Sequence, residues 1–171
     1  MAITLVVEDG TGLDNANSYA TDAEFKTYFK DRGIEIDFDT SRIIAGLIEA
    51  TIYVDLRWGR RFKATPLVDE QALEFPRNKL RDRYGKLVEG LPADIKNATI
   101  LYAKEWLEGT LYPTPPSGNS KDLKKKKTVV GPITTEVEYQ GTATASTYLS
   151  FPLADRLCKL YTNAAGGTAR N

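Results

Sequence analysis

The sequence predicts a mainly α-helical fold: a small bundle of about four helices with a β-hairpin and an extended N-terminal arm. Three observations carry this prediction. Apolar residues recur at helical spacing in several separate segments, one later segment alternates apolar and polar residues as a strand does, and glycines and prolines divide the segments. The chain has 171 residues, which is enough for one domain with appendages and a substantial core.

The N-terminal segment predicts an extended arm that ends in a turn. Residues 3–7 are a short apolar run, and the glycine-containing segment 8–12 reverses the chain. A glycine pair beside acidic residues also suggests a phosphate cradle, but the Gly-Lys-Ser/Thr ending and the dinucleotide-binding spacing are missing. We therefore expect an ordered arm, with Asn15, Asn17 and Ser18 satisfying backbone groups of the loop.

Capping signals and apolar periodicity define the first two helices. Thr21 and Glu24 fit a capping box. The helix that they start carries an aromatic face, which consists of Phe25, Tyr28 and Phe29. A second helix begins near Asp39 or Thr40 and extends to about Asp55. Its predicted inward positions are Ile44, Leu47, Ile48, Thr51 and Ile52.

Two further helices follow the same rules. Pro92 favours the first turn of a third helix, which runs from about Ala93 to Glu108 and stops at Gly109. Its predicted buried stripe consists of Ile95, Ala98, Tyr102 and Trp106, flanked by Leu101 and Leu107. A last helix follows Pro152, and its narrow apolar stripe consists of Leu153, Leu157, Leu160 and Tyr161.

A loop and a β-hairpin are predicted between the last two helices. Residues 113–127 are rich in proline, serine and lysine and predict an exposed loop, and the alternation in residues 128–140 predicts the hairpin. Two strands alone are marginally stable, so the hairpin must pack on the helices, on the arm or on a neighbouring subunit. The chain thus divides into an arm with a helical body (1–112), the loop, the hairpin, and a C-terminal helix and tail (150–171).

Composition restricts the function classes. The chain has 23 basic and 23 acidic residues and no histidine. Any nucleic-acid contact must therefore be local, and histidine-based triads and imidazole metal ligands are excluded. Cys158 is the single cysteine, so an internal disulfide is excluded and an apolar filler is expected. We expect no enzymatic activity, no cofactor and no metal. With no long apolar run and no signal-peptide pattern, we expect a soluble, unexported protein.

Two basic segments are candidate DNA contacts. The first is a lysine run that consists of Lys121, Lys124, Lys125, Lys126 and Lys127. Clustered cations bind the phosphate backbone through counterion release, but a run of this kind is also typical of a solvated strand edge.

The second basic segment spans residues 57–86, which hold nine basic and four acidic residues. Its aromatic residues are Trp58, Phe62, Phe75 and Tyr84. These rings would either stack with bases or pack in the core with arginines at the rim. Glu136 and Glu138 share a strand face and would bind a cation weakly or form a solvated face.

Five blocks of sequence carry a family resemblance. They are VEDGTG and NANSY at 7–12 and 15–19, ATIYVD and WGRR at 50–55 and 58–61, QALEFPR at 71–77, LPADIKNA at 91–98, and VGP before EVEY at 130–132 and 136–139. Together they resemble the head-to-tail connector (adaptor) family of tailed bacteriophages. Some members of that family are labelled DnaT-like single-stranded DNA-binding proteins.

The resemblance implies a structural protein of the virion neck, synthesised in the host cytoplasm and used around genome packaging. Its subunits would form a homo-oligomeric ring, a dodecamer, between the portal protein and a tail-side neck, stopper or tail-terminator protein. Double-stranded DNA would pass through the lumen without sequence specificity, and no membrane would be involved. By position, the portal contact would fall on Phe151, Leu153, Leu157, Leu160 and Tyr161.

Two functions therefore remain open. The first is the ring connector, in which the hairpin residues Val129, Ile133, Val137 and Tyr139 would contact a neighbouring subunit. The alternative is a single-stranded DNA-binding module that uses segment 57–86 and the lysine run.

Overall fold

The computed structural model describes residues 3–112, 125–130, 133–138 and 149–163, the two short ranges by their backbone. Within these residues the α-helices are α1 (Asp22–Lys30), α2 (Thr40–Trp58), α3 (Ala93–Leu107) and α4 (Pro152–Lys159). Two antiparallel strand pairs accompany them, β1 (Thr65–Pro66) with β2 (Arg77–Asn78), and β3 (Lys125–Val130) with β4 (Ile133–Glu138). The predicted mainly α fold with a hairpin is confirmed.

The chain divides into two units. The helical unit consists of Met1–Leu111 and Ser150–Asn171, and the hairpin unit consists of Tyr112–Leu149. The core of the helical unit lies between α2 and α3, and α1 and α4 pack against them. The C-terminal helix is therefore part of the helical unit's core, because Ala154 and Cys158 are fully buried in it.

The first helix begins as the sequence predicts. The Thr21 hydroxyl accepts a hydrogen bond from the Glu24 backbone N–H at 3.0 Å, and the Glu24 carboxylate accepts one from the Thr21 N–H at 2.8 Å. Both bonds of the capping box are therefore present. Phe25 and Phe29 on its aromatic face are buried in the core.

The buried face of α2 differs from the predicted one. The helix continues to Trp58, beyond the predicted end near Asp55. Leu47 and Thr51 are buried as predicted, but Ile52 is 44% exposed. The physical reason is the close approach of α3 at Gly46, where an added Cβ would lie 3.2 Å from the Trp106 ring. This contact directs a neighbouring face of α2 into the core. The buried residues of that face are Ile43, Gly46, Leu47, Ala50, Thr51, Tyr53, Val54 and Trp58.

The third helix matches its predicted range, with one difference at its start. Pro92 is the N-cap residue, and Ala93 is the first helical residue. Ile95, Ala98 and Tyr102 are fully buried as predicted. Trp106 is half-buried, and Leu107, predicted to flank the stripe, lies in the core.

The turn of the N-terminal arm is organised by the buried carboxylate of Glu8. Its Oε1 accepts hydrogen bonds from the backbone N–H groups of Gly10 and Gly12 at 2.8 and 2.9 Å, and its Oε2 accepts one from Leu13 at 2.9 Å. A bound phosphate would require these same donors. The loop has thus an internal carboxylate where a phosphate cradle would hold its ligand, in agreement with the expected ordered arm.

Candidate nucleic-acid interface

A groove lies where the chain leaving α2 meets the chain leaving α4. The end of α2 continues into a 3-10 turn at Gly59–Arg61, and the next residues run antiparallel to the segment after α4. The Lys63 N–H donates to the Tyr161 carbonyl at 2.8 Å, and the Asn163 N–H donates to the Arg61 carbonyl at 2.9 Å. These bonds hold two segments that are distant in sequence as the two walls of one groove.

Cations line this groove, which has a volume of about 760 Å³. They are Arg60, Arg61 and Lys63 from one wall and Lys159 from the other. The other lining residues are Trp58, Thr162 and Asn163, so no carboxylate of the described chain lines it. We call it the basic groove. In the part of the chain that the structure describes, none of its four cations forms an ion pair.

Trp58 forms the floor of the basic groove and orients two of its cations. The residue is only 2% exposed, and its indole N–H donates to the Tyr102 hydroxyl at 3.1 Å. The Arg61 guanidinium and the Lys159 ammonium lie 5.8 and 5.9 Å from the centre of its ring. Both distances are within the range of cation–π attraction, which positions the two charges above the buried ring.

The Asp155 carboxylate, which is joined to the groove floor through Tyr102, is already paired with a cation. Asp155 is 4% exposed and forms a 2.7 Å ion pair with Arg57 and a 2.6 Å hydrogen bond with the Tyr102 hydroxyl. Burial raises the pKa of Tyr102 well above its usual value, and burial also raises the pKa of the Cys158 thiol. Both groups therefore stay protonated, and the fully buried Cys158 fits the expected filler.

A family model described as "Putative DnaT-like ssDNA binding protein" matches residues 3–171. This chain belongs to that family. The match includes both walls of the basic groove. No curated protein and no solved structure matches the chain. The comparisons give no support to the connector resemblance, so the connector role stays a prediction.

The interleaved aromatic residues of segment 57–86 divide into two groups. Trp58, Phe62 and Phe75 are between 0% and 5% exposed and belong to the core. For these three rings, packing is confirmed and base stacking is excluded. Tyr84 is the exception, because it is 78% exposed.

The cations of the same segment also divide. Arg77 is 7% exposed, donates to the carbonyls of Ala64 and Gly59, and pairs with Glu74. It therefore stabilises the fold and is not available to a phosphate. Arg60 and Arg61 are exposed, and both lie in the basic groove.

The lysine run lies only partly within the described residues. Lys121 and Lys124 are outside them, and Lys125, Lys126 and Lys127 are on β3. The strand register places Lys125 opposite Glu138 and Lys127 opposite Glu136. The hairpin thus sets an acidic sequence beside the basic one, so the lysine run is a weaker candidate for a phosphate contact than the basic groove.

The residues proposed for the portal contact are distributed between core and surface. Tyr161 is 6% exposed and Leu153 is 59% exposed, and Phe151, Leu157 and Leu160 are half-buried against the core. The ring of Phe151 packs edge-on against Tyr102. Leu153 therefore offers the most accessible apolar surface of this set.

The residues proposed for the subunit interface lie on the hairpin. Val129 pairs with Thr134, Ile133 with Val130, and Val137 with Lys126. Val129 is therefore on β3, and Ile133 and Val137 are on β4. Tyr139 is outside the described residues.

Sequence reasoning pointed to one wall of the basic groove and missed the other. Arg60, Arg61 and Lys63 are part of the predicted basic segment, but Lys159 was assigned no role. No local pattern could have found it, because Lys159 reaches the groove only through the pairing of segments 61–63 and 161–163.

In residues 3–112 and 149–163, no group of three or more acidic or cysteine side chains is arranged to hold a metal ion. None of the helices found in the described ranges combines the length and hydrophobicity of a membrane span.

Proposed function

We propose that this protein binds single-stranded DNA through the basic groove and that its role is binding without catalysis. The observation that carries the proposal is a groove lined by four cations and by no carboxylate of the described chain. The description of its family supports the same function. No histidine is present in the chain, which removes the side chain that most often acts as a general base near neutral pH.

The basic groove fits a phosphate backbone for a physical reason. The four groove cations form no ion pair with any described residue and repel each other, and each phosphate bound among them releases condensed counterions from the DNA. Arg60 and Lys159 lie on opposite walls, so a strand in the groove would be held from both sides. The net charge of the chain is zero, and attraction to DNA would therefore depend on this local concentration of charge.

Oligonucleotide binding by charge-reversal variants tests the proposal. Fluorescence anisotropy with a labelled single-stranded oligonucleotide would compare the native protein with Arg60→Glu, Lys159→Glu and the double variant. We expect each single variant to bind about tenfold more weakly, because a charge-assisted contact is lost and a repulsive charge is added. The double variant should bind more weakly than either.

Lys30→Glu is the matched control, because Lys30 is an exposed cation of α1 outside the groove and the change in net charge is the same. It should bind nearly as tightly as the native protein. Equal losses in Lys30→Glu and Arg60→Glu would mean that binding follows net charge, and the proposed groove would be wrong. The absence of any measurable binding by the native protein would reject the function itself.

A second candidate function is the ring connector, which is favoured by the hairpin unit. β3 and β4 form a two-stranded sheet, so each strand has one edge without a strand partner among the described residues. Such an edge can accept a strand from a neighbouring copy, and a two-stranded hairpin gains stability from such an addition. In a closed ring this contact would repeat from subunit to subunit.

Electron microscopy of the protein mixed with a portal protein tests this second function. A connector would form rings that sit on the portal and show little salt-dependent DNA affinity. Leu153→Asp should weaken portal docking while the protein stays folded, and Leu56→Asp is its control because Leu56 is 72% exposed on α2. If neither rings nor portal complexes form while oligonucleotide affinity falls steeply with salt, the connector function is rejected.

A further inference from the structure

A second hollow adjoins the basic groove. It has a volume of about 280 Å³ and is lined by Asp82, Arg83, Tyr84, Asp94, Leu160 and Tyr161. The segment 159–163 contributes to both, because Lys159, Thr162 and Asn163 line the groove while Leu160 and Tyr161 line the hollow. A strand that lies across this segment would therefore meet the groove and the hollow in succession.

Tyr84 is presented to solvent by a hydrogen-bonded turn, residues 81–87. The Asp82 carboxylate accepts hydrogen bonds from the backbone N–H groups of Tyr84 and Lys86 at 2.8 and 2.9 Å. The Arg81 guanidinium donates to the Gly85 carbonyl at 2.6 Å, and Gly85 has a φ of +79° that the turn requires. These bonds hold the turn in one conformation in this structure and leave the Tyr84 ring outside it, in contact with solvent.

The ring of Tyr84 has the surroundings of a base-stacking residue. It is 78% exposed, and the Arg83 guanidinium lies 4.7 Å from its centre. A large exposed aromatic ring beside a cation is the combination that single-strand binding proteins use to stack with bases. The buried aromatic rings of this segment offer no such face.

The basic groove and the second hollow differ in charge, so the groove is suited to phosphates and the hollow to a base. The basic groove has four cations, whereas the second hollow has two carboxylates, Asp82 and Asp94, and one cation, Arg83. Carboxylates repel phosphates, but they accept hydrogen bonds from the exocyclic amino groups of cytosine and adenine. The Asp94 Oδ2 already accepts a hydrogen bond from the Tyr161 hydroxyl at 2.8 Å, whereas Oδ1 accepts none from the described residues.

We infer that the second hollow binds one nucleobase that carries an exocyclic amino group, stacked on Tyr84, while the basic groove holds the phosphates beside it. This inference rests on the proposed binding of single-stranded DNA and adds a base site to it. The hollow is smaller than the roughly 300–1,000 Å³ of sites that enclose drug-sized ligands, as expected for a single ring system.

Three strands of equal length and charge test the inference: oligodeoxycytidine, oligodeoxythymidine and an abasic strand with the same number of phosphates. The native protein should bind oligodeoxycytidine about tenfold more tightly than the abasic strand, with oligodeoxythymidine weaker than oligodeoxycytidine. Tyr84→Ala should remove the preference over the abasic strand, and Tyr84→Phe should retain it because the ring remains. Leu87→Ala controls for a general disturbance of the turn at residues 81–87, since Leu87 is an exposed residue of that turn.

The outcomes separate the base site from the groove. Equal affinity of the native protein for all three strands, with Arg60→Glu weakening all of them, would overturn the base site and leave the groove intact. Equal affinity for the two base-containing strands would overturn the assigned amino-group contact. An equal loss in Tyr84→Phe and Tyr84→Ala would overturn stacking, and no binding of any strand would overturn both proposals.

Discussion

At the scale of single residues, Glu8 determines the conformation of the N-terminal loop. Its side chain is enclosed, with 1% of the residue exposed, and it satisfies three backbone N–H groups of the following turn. Gly10 has a φ of +97°, which favours glycine, and it packs closely against Gly90. A Cβ added to Gly10 would lie 3.1 Å from the Gly90 Cα. The Glu8 carboxylate thus accepts the backbone hydrogen bonds that a bound phosphate would accept if the glycine-containing segment 8–12 were a phosphate site.

Glu8→Ala should lower the free energy of unfolding by about 3 kcal/mol, because three partly buried backbone N–H groups lose a charged acceptor. Urea denaturation at neutral pH measures the loss. Asp9→Ala is the neighbouring control, since Asp9 is exposed, and it should have a much smaller effect. Similar losses in the two variants would mean that the Glu8 contacts do not stabilise the loop.

Asp55 links the N-terminal segment to the loop before β2. Its carboxylate accepts the Tyr19 hydroxyl at 2.6 Å and the Glu74 backbone N–H at 3.2 Å. Burial raises its pKa from 3.8 to about 7, the two hydrogen bonds oppose this rise, and the charges of Glu74 and Arg77 act in opposite directions. Native Asp55 therefore keeps its proton at pH values where the unfolded chain has lost it.

The pKa of Asp55 predicts a pH dependence of stability. Because the folded-state pKa is the higher one, the contribution of this group is fully present below about pH 4 and is lost as pH rises to about 7. The stability of the native protein relative to Asp55→Asn should therefore fall between these values and then level off. Urea denaturation of both proteins across this range measures it, and a constant or rising difference would contradict the assignment.

At the scale of elements, α4 lies in the core of the helical unit, and a buried ion pair joins it to α2. Asp155 on α4 is held by Arg57 on α2 and by the Tyr102 hydroxyl on α3, at 2.7 and 2.6 Å. The sequence indicated only a narrow apolar stripe on this helix, which is also typical of a helix that docks on another protein. The ion pair between Arg57 and Asp155 distinguishes a core helix from a docking helix. No local sequence pattern predicts it, because the two residues are far apart in the sequence.

Asp155→Ala should therefore destabilise the helical unit by about 3–5 kcal/mol, because it removes the carboxylate that pairs with the buried Arg57 guanidinium. Equilibrium unfolding followed by circular dichroism measures this. Glu108→Ala is the matched control, because it removes the partially exposed ion pair with Lys104, and its effect should stay within about 0.5 kcal/mol. A loss this small for Asp155→Ala would show that α4 is held by its apolar contacts alone.

Local signals predicted the elements better than they predicted their faces. The capping box of Thr21 and Glu24 and the stop at Gly109 depend on neighbouring residues, and the helix ends agree with them. The face of α2 depends on α3 instead, because Gly46 admits the Trp106 ring. The predicted inward position of Ile52 is wrong for that reason.

At the scale of the whole molecule, charge is balanced in number and unequal in distribution. The chain has 23 basic and 23 acidic residues, yet the described residues that line the basic groove include four cations and no acid. The surplus of basic residues in segment 57–86 predicted the cations of the first wall, Arg60, Arg61 and Lys63. It could not predict the groove, because the second wall arrives through the antiparallel pairing that follows α4.

The salt dependence of single-stranded DNA binding tests whether the cations of the basic groove hold the phosphates. If the four groove cations each contact a phosphate, the logarithm of the association constant should fall with the logarithm of salt concentration with a slope of about −3, from roughly 0.7 per phosphate. In the double variant Arg60→Gln, Lys159→Gln the slope should become shallower by about 1.4. An unchanged slope in that variant would mean that the phosphates are bound elsewhere and that the basic groove is not the binding site.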